Sequence, residues 1–147
     1  MYLLDTNILS VGAPGPREAP PALTGWMEAN SDHLFVSTIT VAEIRSGIAK
    51  MERTGANAKA QRISEWLELV LHLYDERVLP FDIDAAEVAG VFMDTARAKG
   101  HSPGFADLAI ASIASSRGLT LLTRNVKDFA PLSLHVVNPF ERLPSRI

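Results

Sequence analysis

The chain has 147 residues, 47% hydrophobic and 21% charged, a balance that suits a soluble globular domain able to bury about two-thirds of its unfolded surface. No apolar run approaches the ~20 residues that cross a bilayer, and the lack of cysteine excludes disulfides and thiolate metal sites and agrees with a reducing compartment. A net charge of −3 gives no general attraction for nucleic acid, and the opening residues show no basic leader, so the expected location is the cytosol, with no membrane partner.

In chain order, Tyr2–Leu4 reads as a short buried strand and Asn7–Val11 as a brief helical turn. Residues 12–21, "GAPGPREAPP", hold four of the nine prolines and read as a loop. Ala22–Asn30 is expected to be a helix, with Leu23, Trp26 and Met27 on its core face, and "HLFVS" (33–37) a second strand. Val41, Ile44, Ile48 and Met51 space an amphipathic helix over Ile39–Arg53, and Ile63, Trp66, Leu67, Val70 and Leu71 do so over Ala58–Tyr74. "RVLPF" (77–81) is a third strand, placed near an edge by its proline. Helices follow over Asp84–Lys99, from an Asp cap to Gly100, and over Pro103–Arg117, ended by Gly118. "LTLLT" (119–123) is a strong buried strand and "LHVV" (134–137) a weaker last one. Short strands alternating with long helices predict a single α/β domain, a sandwich built on a short-stranded, mainly parallel sheet.

Ligands of such sheets sit beyond the carboxyl ends of the strands, where Asp5 falls. Glu43 is expected in the first turn of the helix after the second strand, facing the same edge. Asp107 is the only charged residue between Ser102 and Ser116 and lies in a first helical turn, while Asn125 follows the LTLLT strand with Asp128 three residues on. Each position also has a plainer use. Asp5 can cap the turn at Thr6–Leu9, Thr40 and Glu43 have capping-box spacing, Asp107 can favour a helix dipole, and Asn125 suits a turn. Asp128 reaches the cleft only if its turn folds back, and is read as solvated or capping. Taken together, however, three carboxylates aimed at one edge repel one another unless a cation intervenes. Oxygen-only ligands suit Mg²⁺ or Mn²⁺, ions whose usual work is phosphoryl transfer.

The segments "LLDTN" (3–7), "STITVAEIRSG" (37–47), "LPFD" (79–82), "ADLAIASIASSRGLTLLTRNVKDF" (106–129) and "VVNPF" (136–140) occur in an order that resembles PIN-domain ribonucleases of the VapC type, FitB-like branch. The resemblance implies a PIN-like fold and a metal-dependent endoribonuclease. Its role would be that of toxin in a type II toxin–antitoxin pair, with RNA as substrate, a cognate antitoxin and a homodimer as partners, and operator DNA bound only through the antitoxin. It makes Asp5, Glu43 and Asp107 the Mg²⁺- or Mn²⁺-binding carboxylates and gives Thr6 a supporting hydroxyl. Asn125 stands where many relatives carry a fourth acid, so a single ion is expected. Arg124 and Lys127, flanking Asn125, are candidates for substrate phosphates beside a reading as surface charges, whereas Arg45 points about 160° away from Glu43. Trp26 and Trp66 read as core, and His101 as a loop residue before a general base. The rival reading, favoured by Asn125, is a PIN-like binding partner of the antitoxin that has lost turnover. A haloacid-dehalogenase-like phosphatase needs a second Asp where this chain has Asn7.

Overall fold

Strands of three or four leucine-rich residues belong in a sheet covered on both faces, because every position then buries apolar surface. The computed structural model, which describes residues 1–145, has that arrangement. Strand β1 (Tyr2–Leu4) pairs in parallel with β2 (Leu34–Ser37) on one side and with β4 (Thr120–Leu122) on the other. The edges are β3 (Val78–Leu79), followed at once by Pro80, and β5 (Val136–Val137). The order is β3-β2-β1-β4-β5 with every pairing parallel.

The period of two along each strand separates two apolar layers. Leu3 and Leu121 face α5 (Ile83–Ala98) and α6 (Phe105–Ser116), meeting Ala85, Ala89, Phe92, Ile110 and Ala114. Leu4, Leu122, Leu34 and Val36 face α2 (Pro21–Ala29), α3 (Thr38–Arg53) and α4 (Asn57–Tyr74), meeting Trp26, Ile44, Ile48 and Leu67. Each fully buried Leu contributes about 1.5–3 kcal/mol. Helix α6 is buried from Leu108 through Ala114, which explains why it carries no charge beyond its first turn. Gly118, with φ of +64°, makes the left-handed turn that returns the chain from α6 into β4.

Several boundaries differ from the sequence reading. Asp5 itself caps the first short helix, α1 (Thr6–Leu9), so helical geometry begins at Thr6. The α3 cap is Ser37, whose Oγ accepts from the Thr40 amide at 3.1 Å. Glu43 therefore lies in the second turn, and Thr40 and Glu43 form no capping box. Asp82 rather than Asp84 caps α5, accepting from the Ala85 amide at 3.0 Å and pairing with Arg117 at 2.8 Å. Helix α6 starts at Phe105, two residues later than expected. Residues after Asn125 form a four-residue helix, α7 (Val126–Phe129), anchored by the buried Phe129.

Candidate active site

The strand order reverses between β1 and β4, and the Asp5 amide extends their ladder by donating to Leu122 O at 2.9 Å. Asp5 thus stands at the carboxyl end of the central strand, at the switch point of the sheet. Only 4% exposed, it is held by three donors. Its Oδ1 accepts from the Thr6 amide (2.8 Å), and its Oδ2 from the Thr123 hydroxyl (2.7 Å) and Asn7 Nδ2 (3.3 Å). Burial raises the Asp5 carboxyl above its ordinary value more than those bonds lower it, and the Asp128 charge adds to the rise. A carboxylate has about four acceptor positions, so Oδ1 keeps one open. Thr123, fully buried, also accepts from the Asn125 amide at 3.1 Å, tying the end of β4 to the same oxygen.

Glu43 is exposed on α3 but is not loose. Thr6 Oγ1 lies 2.7 Å from Glu43 Oε1 and 3.0 Å from Thr40 Oγ1, which in turn is 3.3 Å from Ser37 Oγ. A carboxylate only accepts, so the Thr6 proton goes to Glu43, Thr40 donates to Thr6, and Ser37 donates to Thr40. The row of hydroxyls runs from the buried end of β2 to the carboxylate and leaves Glu43 Oε2 free. Arg45 bonds Ser64 of α4 at 2.9 Å, away from this site.

Asp107, in the first turn of α6, is the least compensated acid. Among the described residues no donor reaches its carboxylate. Burial first, then the charges of Asp5, Asp128 and Glu43, push it up to about 6. Three acids from separate elements thus act on Asp107 across the cleft. Asp128 is exposed, as expected, yet α7 carries it to the cleft beside Asp107, where its charge acts on both Asp5 and Asp107. Lys127 and His101 line the same small cleft beside Asp107 and Asp128. Asn125 and Arg124 lie on the other side of Asn7, whose Oδ1 accepts from the Arg124 amide at 3.1 Å; the Arg124 guanidinium sits 4.3 Å over the Phe140 ring. Trp26 is in the core, edge-on to Tyr2.

Among the described residues no three Asp, Glu or His side chains close around a point tightly enough to enclose an ion by themselves. The donor set nevertheless fits a hydrated hard ion, which is held through one or two carboxylates and keeps several waters. Asp5, Glu43 and Asp107 each keep acceptor capacity that no donor among the described residues takes up, and no Arg or Lys is among the groups that shift Asp107.

Sequence reasoning missed Thr123, Thr40, Ser37 and Asn7, as well as the position of Asp128. A hydroxyl closing an apolar strand in "LTLLT", and three hydroxyls within "STIT", were the available signals.

The family model described as PIN domain matches residues 2–131. The plasmid stability protein StbB of Pseudomonas syringae pv. tomato is 37% identical over 96% of this chain and 99% of its own length, and the VapC ribonuclease Y4jK of Sinorhizobium fredii is 36% identical over the same shares. Toxin FitB of Neisseria gonorrhoeae is 33% identical over 95% of this chain and 99% of its own. The crystal structure of FitAcB from Neisseria gonorrhoeae superposes with a TM-score of 0.83 at 32% identity, covering 95% of this chain and 99% of that one.

Proposed function

The chain belongs to the PIN-domain family, among its VapC- and FitB-type members, and from that premise we propose that it is a divalent-metal-dependent endoribonuclease, the toxin of a type II toxin–antitoxin pair. The observation that carries the reading is that Thr6 ties Asp5 to Glu43 at the switch point, and that the charges of Asp5, Asp128 and Glu43 act on Asp107, which no donor meets among the described residues. Asp5, Glu43 and Asp107 would hold Mg²⁺ or Mn²⁺, which supplies a bound water of lowered pKa and a positive field for phosphate oxygens. Asp5 is oriented by Thr6, Asn7 and Thr123, and Glu43 by the hydroxyl row through Thr6. Lys127, on the cleft wall, attracts the RNA phosphate.

Asn125 removes one acid from this set and favours a partner without turnover. Asp128, whose charge reaches the same two carboxylates, restores it and favours an active enzyme. The antitoxin and DNA assignments rest on similarity to FitAB, of which a DNA-bound structure matches with a TM-score of 0.77 at 28% identity. A homodimer is supported by apolar side chains left exposed on α5 and at the start of α6, Ile83, Val91 and Phe105 among them. The test is cleavage of labelled RNA under Mg²⁺ or Mn²⁺ by the parent and by Asp5→Asn, an isostere able to accept from the Thr6 amide. Activity should vanish while the circular dichroism spectrum persists, and undiminished cleavage by the variant would refute the assignment.

A further inference from the structure

Beside the acidic cleft, across Asn7, lies a recess of about 530 Å³ lined by Asn7, Arg124, Asn125, Asn138, Phe140 and Glu141. Asn7 is the wall between the two: its Nδ2 donates to Asp5 Oδ2, and its Oδ1 accepts from the Arg124 amide. The recess has three properties. Its lining pairs a cation with an aromatic ring, because the Arg124 guanidinium lies 4.3 Å over the Phe140 ring, and the Phe140 amide donates to Asn138 Oδ1 at 3.0 Å. Its rim offers both donors and acceptors, since among the described residues the Asn125 side-chain carboxamide and Asn138 Nδ2 are not engaged, while the Asn125 backbone amide is taken by Thr123. Its charge is balanced, with the Glu141 carboxylate on the same wall as Arg124.

A flat cationic platform next to hydrogen-bonding edges suits a planar heterocycle. The neighbouring Glu141 charge opposes a second phosphate in the same space. A wider recess of about 760 Å³ continues from here past Lys127 and Arg142 to Asp128, which also lines the acidic cleft. A chain with its phosphates along Lys127 and Arg142 therefore spans from the acids to the platform.

We propose that this recess is a nucleobase subsite, in which an unpaired base of single-stranded RNA adjoining the scissile phosphate stacks on the outer face of the Arg124 guanidinium and is read at its edge by Asn125, Asn138 and Glu141. Arg124 then acts by its plane more than by its charge, and Glu141 favours guanine, whose Watson–Crick edge presents two adjacent donors, over uracil, whose single N3–H is flanked by two carbonyl acceptors. The subsite deepens the ribonuclease reading and rests on it only for the identity of the polymer.

The test uses the full chain and four nuclease-resistant phosphorothioate RNA pentamers that differ in their central base, with affinity read by fluorescence anisotropy. The parent should prefer one base over the poorest by at least about fivefold, the range that stacking on a protein platform provides. Arg124→Lys keeps the charge and loses the plane, and should flatten that preference and weaken binding by at least about fivefold. Phe140→Leu, which removes the ring beneath the guanidinium, should do the same. Equal affinity for all four pentamers, or Arg124→Lys binding like the parent, would overturn the subsite. Cleavage of a random-sequence RNA separates the two readings. Selective binding without cleavage under any divalent ion leaves the subsite standing and removes the ribonuclease. Cleavage without base preference, unchanged in Arg124→Lys, does the reverse.

Discussion

Replacing Asp107 with Asn should stabilise the metal-free protein while abolishing its response to Mn²⁺. In the folded chain, burial and the charges of Asp5, Asp128 and Glu43 raise the Asp107 carboxyl from its ordinary 3.8 to about 6. Ionising it therefore costs more in the folded state than in the unfolded one, up to about 3 kcal/mol at about 1.4 kcal/mol per pH unit. Asp107 is only half-buried, and solvent screening reduces that figure to about 1–1.5 kcal/mol. The penalty is absent below pH 3.8, grows as pH rises toward 6, and is complete above it. In EDTA at pH 8 the variant should melt about 2–5 °C higher than the parent, a gain that disappears near pH 4. Added Mn²⁺ should reverse the order: the parent gains about 2.7 kcal/mol when the ion is 100-fold above its dissociation constant, and the variant gains little. Thermal unfolding followed by circular dichroism reads both effects. A variant no more stable than the parent in EDTA at pH 8, or stabilised equally by Mn²⁺, would refute the reasoning.

Other substitutions probe the groups that hold the acids. Thr123→Val removes the hydroxyl bonded to Asp5 Oδ2 at 2.7 Å and to the Asn125 amide. It should cost about 1–3 kcal/mol in urea unfolding, and an unchanged midpoint would count against the role given to that hydroxyl. Thr6→Val breaks the row that ends on Glu43 and should raise the Mn²⁺ concentration for half-maximal cleavage, with less than about 1 kcal/mol lost in stability because Glu43 is exposed. Asp128→Asn removes a like charge from Asp107, so the Asp107 titration, followed by NMR in EDTA, should move to lower pH; an unmoved midpoint would place Asp128 outside the cluster.

Much of the fold was legible because burial on both faces leaves a strong pattern. The strands around Leu3, Val36 and Leu121 read as short apolar runs, α3 and α4 as helical spacings, and α5 from its Asp cap and the glycine that ends it. The lone charge of α6 was legible for the same reason, since a helix surrounded by core tolerates Asp107 only at its end. What was not legible is local. A four-residue helix has no period to detect, so α7 was invisible, and with it the return of Asp128 toward Asp5 and Asp107. In "STIT" three hydroxyls compete for one cap, and only the backbone shows that Ser37 takes it and frees Thr40 for Thr6. In the sequence Arg124 reads as a candidate for substrate phosphates or as a surface charge, and its stacking appears only when Phe140, sixteen positions on, is seen beside it.

The acids divide the work by how completely each is provided for. Asp5 is buried deepest and has three donors, so it stays in one orientation with one acceptor position unused. Glu43 has one donor, delivered by a row of hydroxyls whose direction is fixed because its last member must give its proton to a carboxylate. Asp107 has none, and burial first, then the neighbouring negative charges, raise its carboxyl with no positive group among the causes. Filling that gap with a fixed Arg or Lys would stabilise the fold and occupy the cleft permanently. Leaving it open would keep the folded protein slightly less stable and, on the proposed reading, would let the carboxylates together bind a cation more strongly than any one of them alone. The strain at Asp107 and the affinity proposed for the site are thus one free energy, seen without the ion and with it.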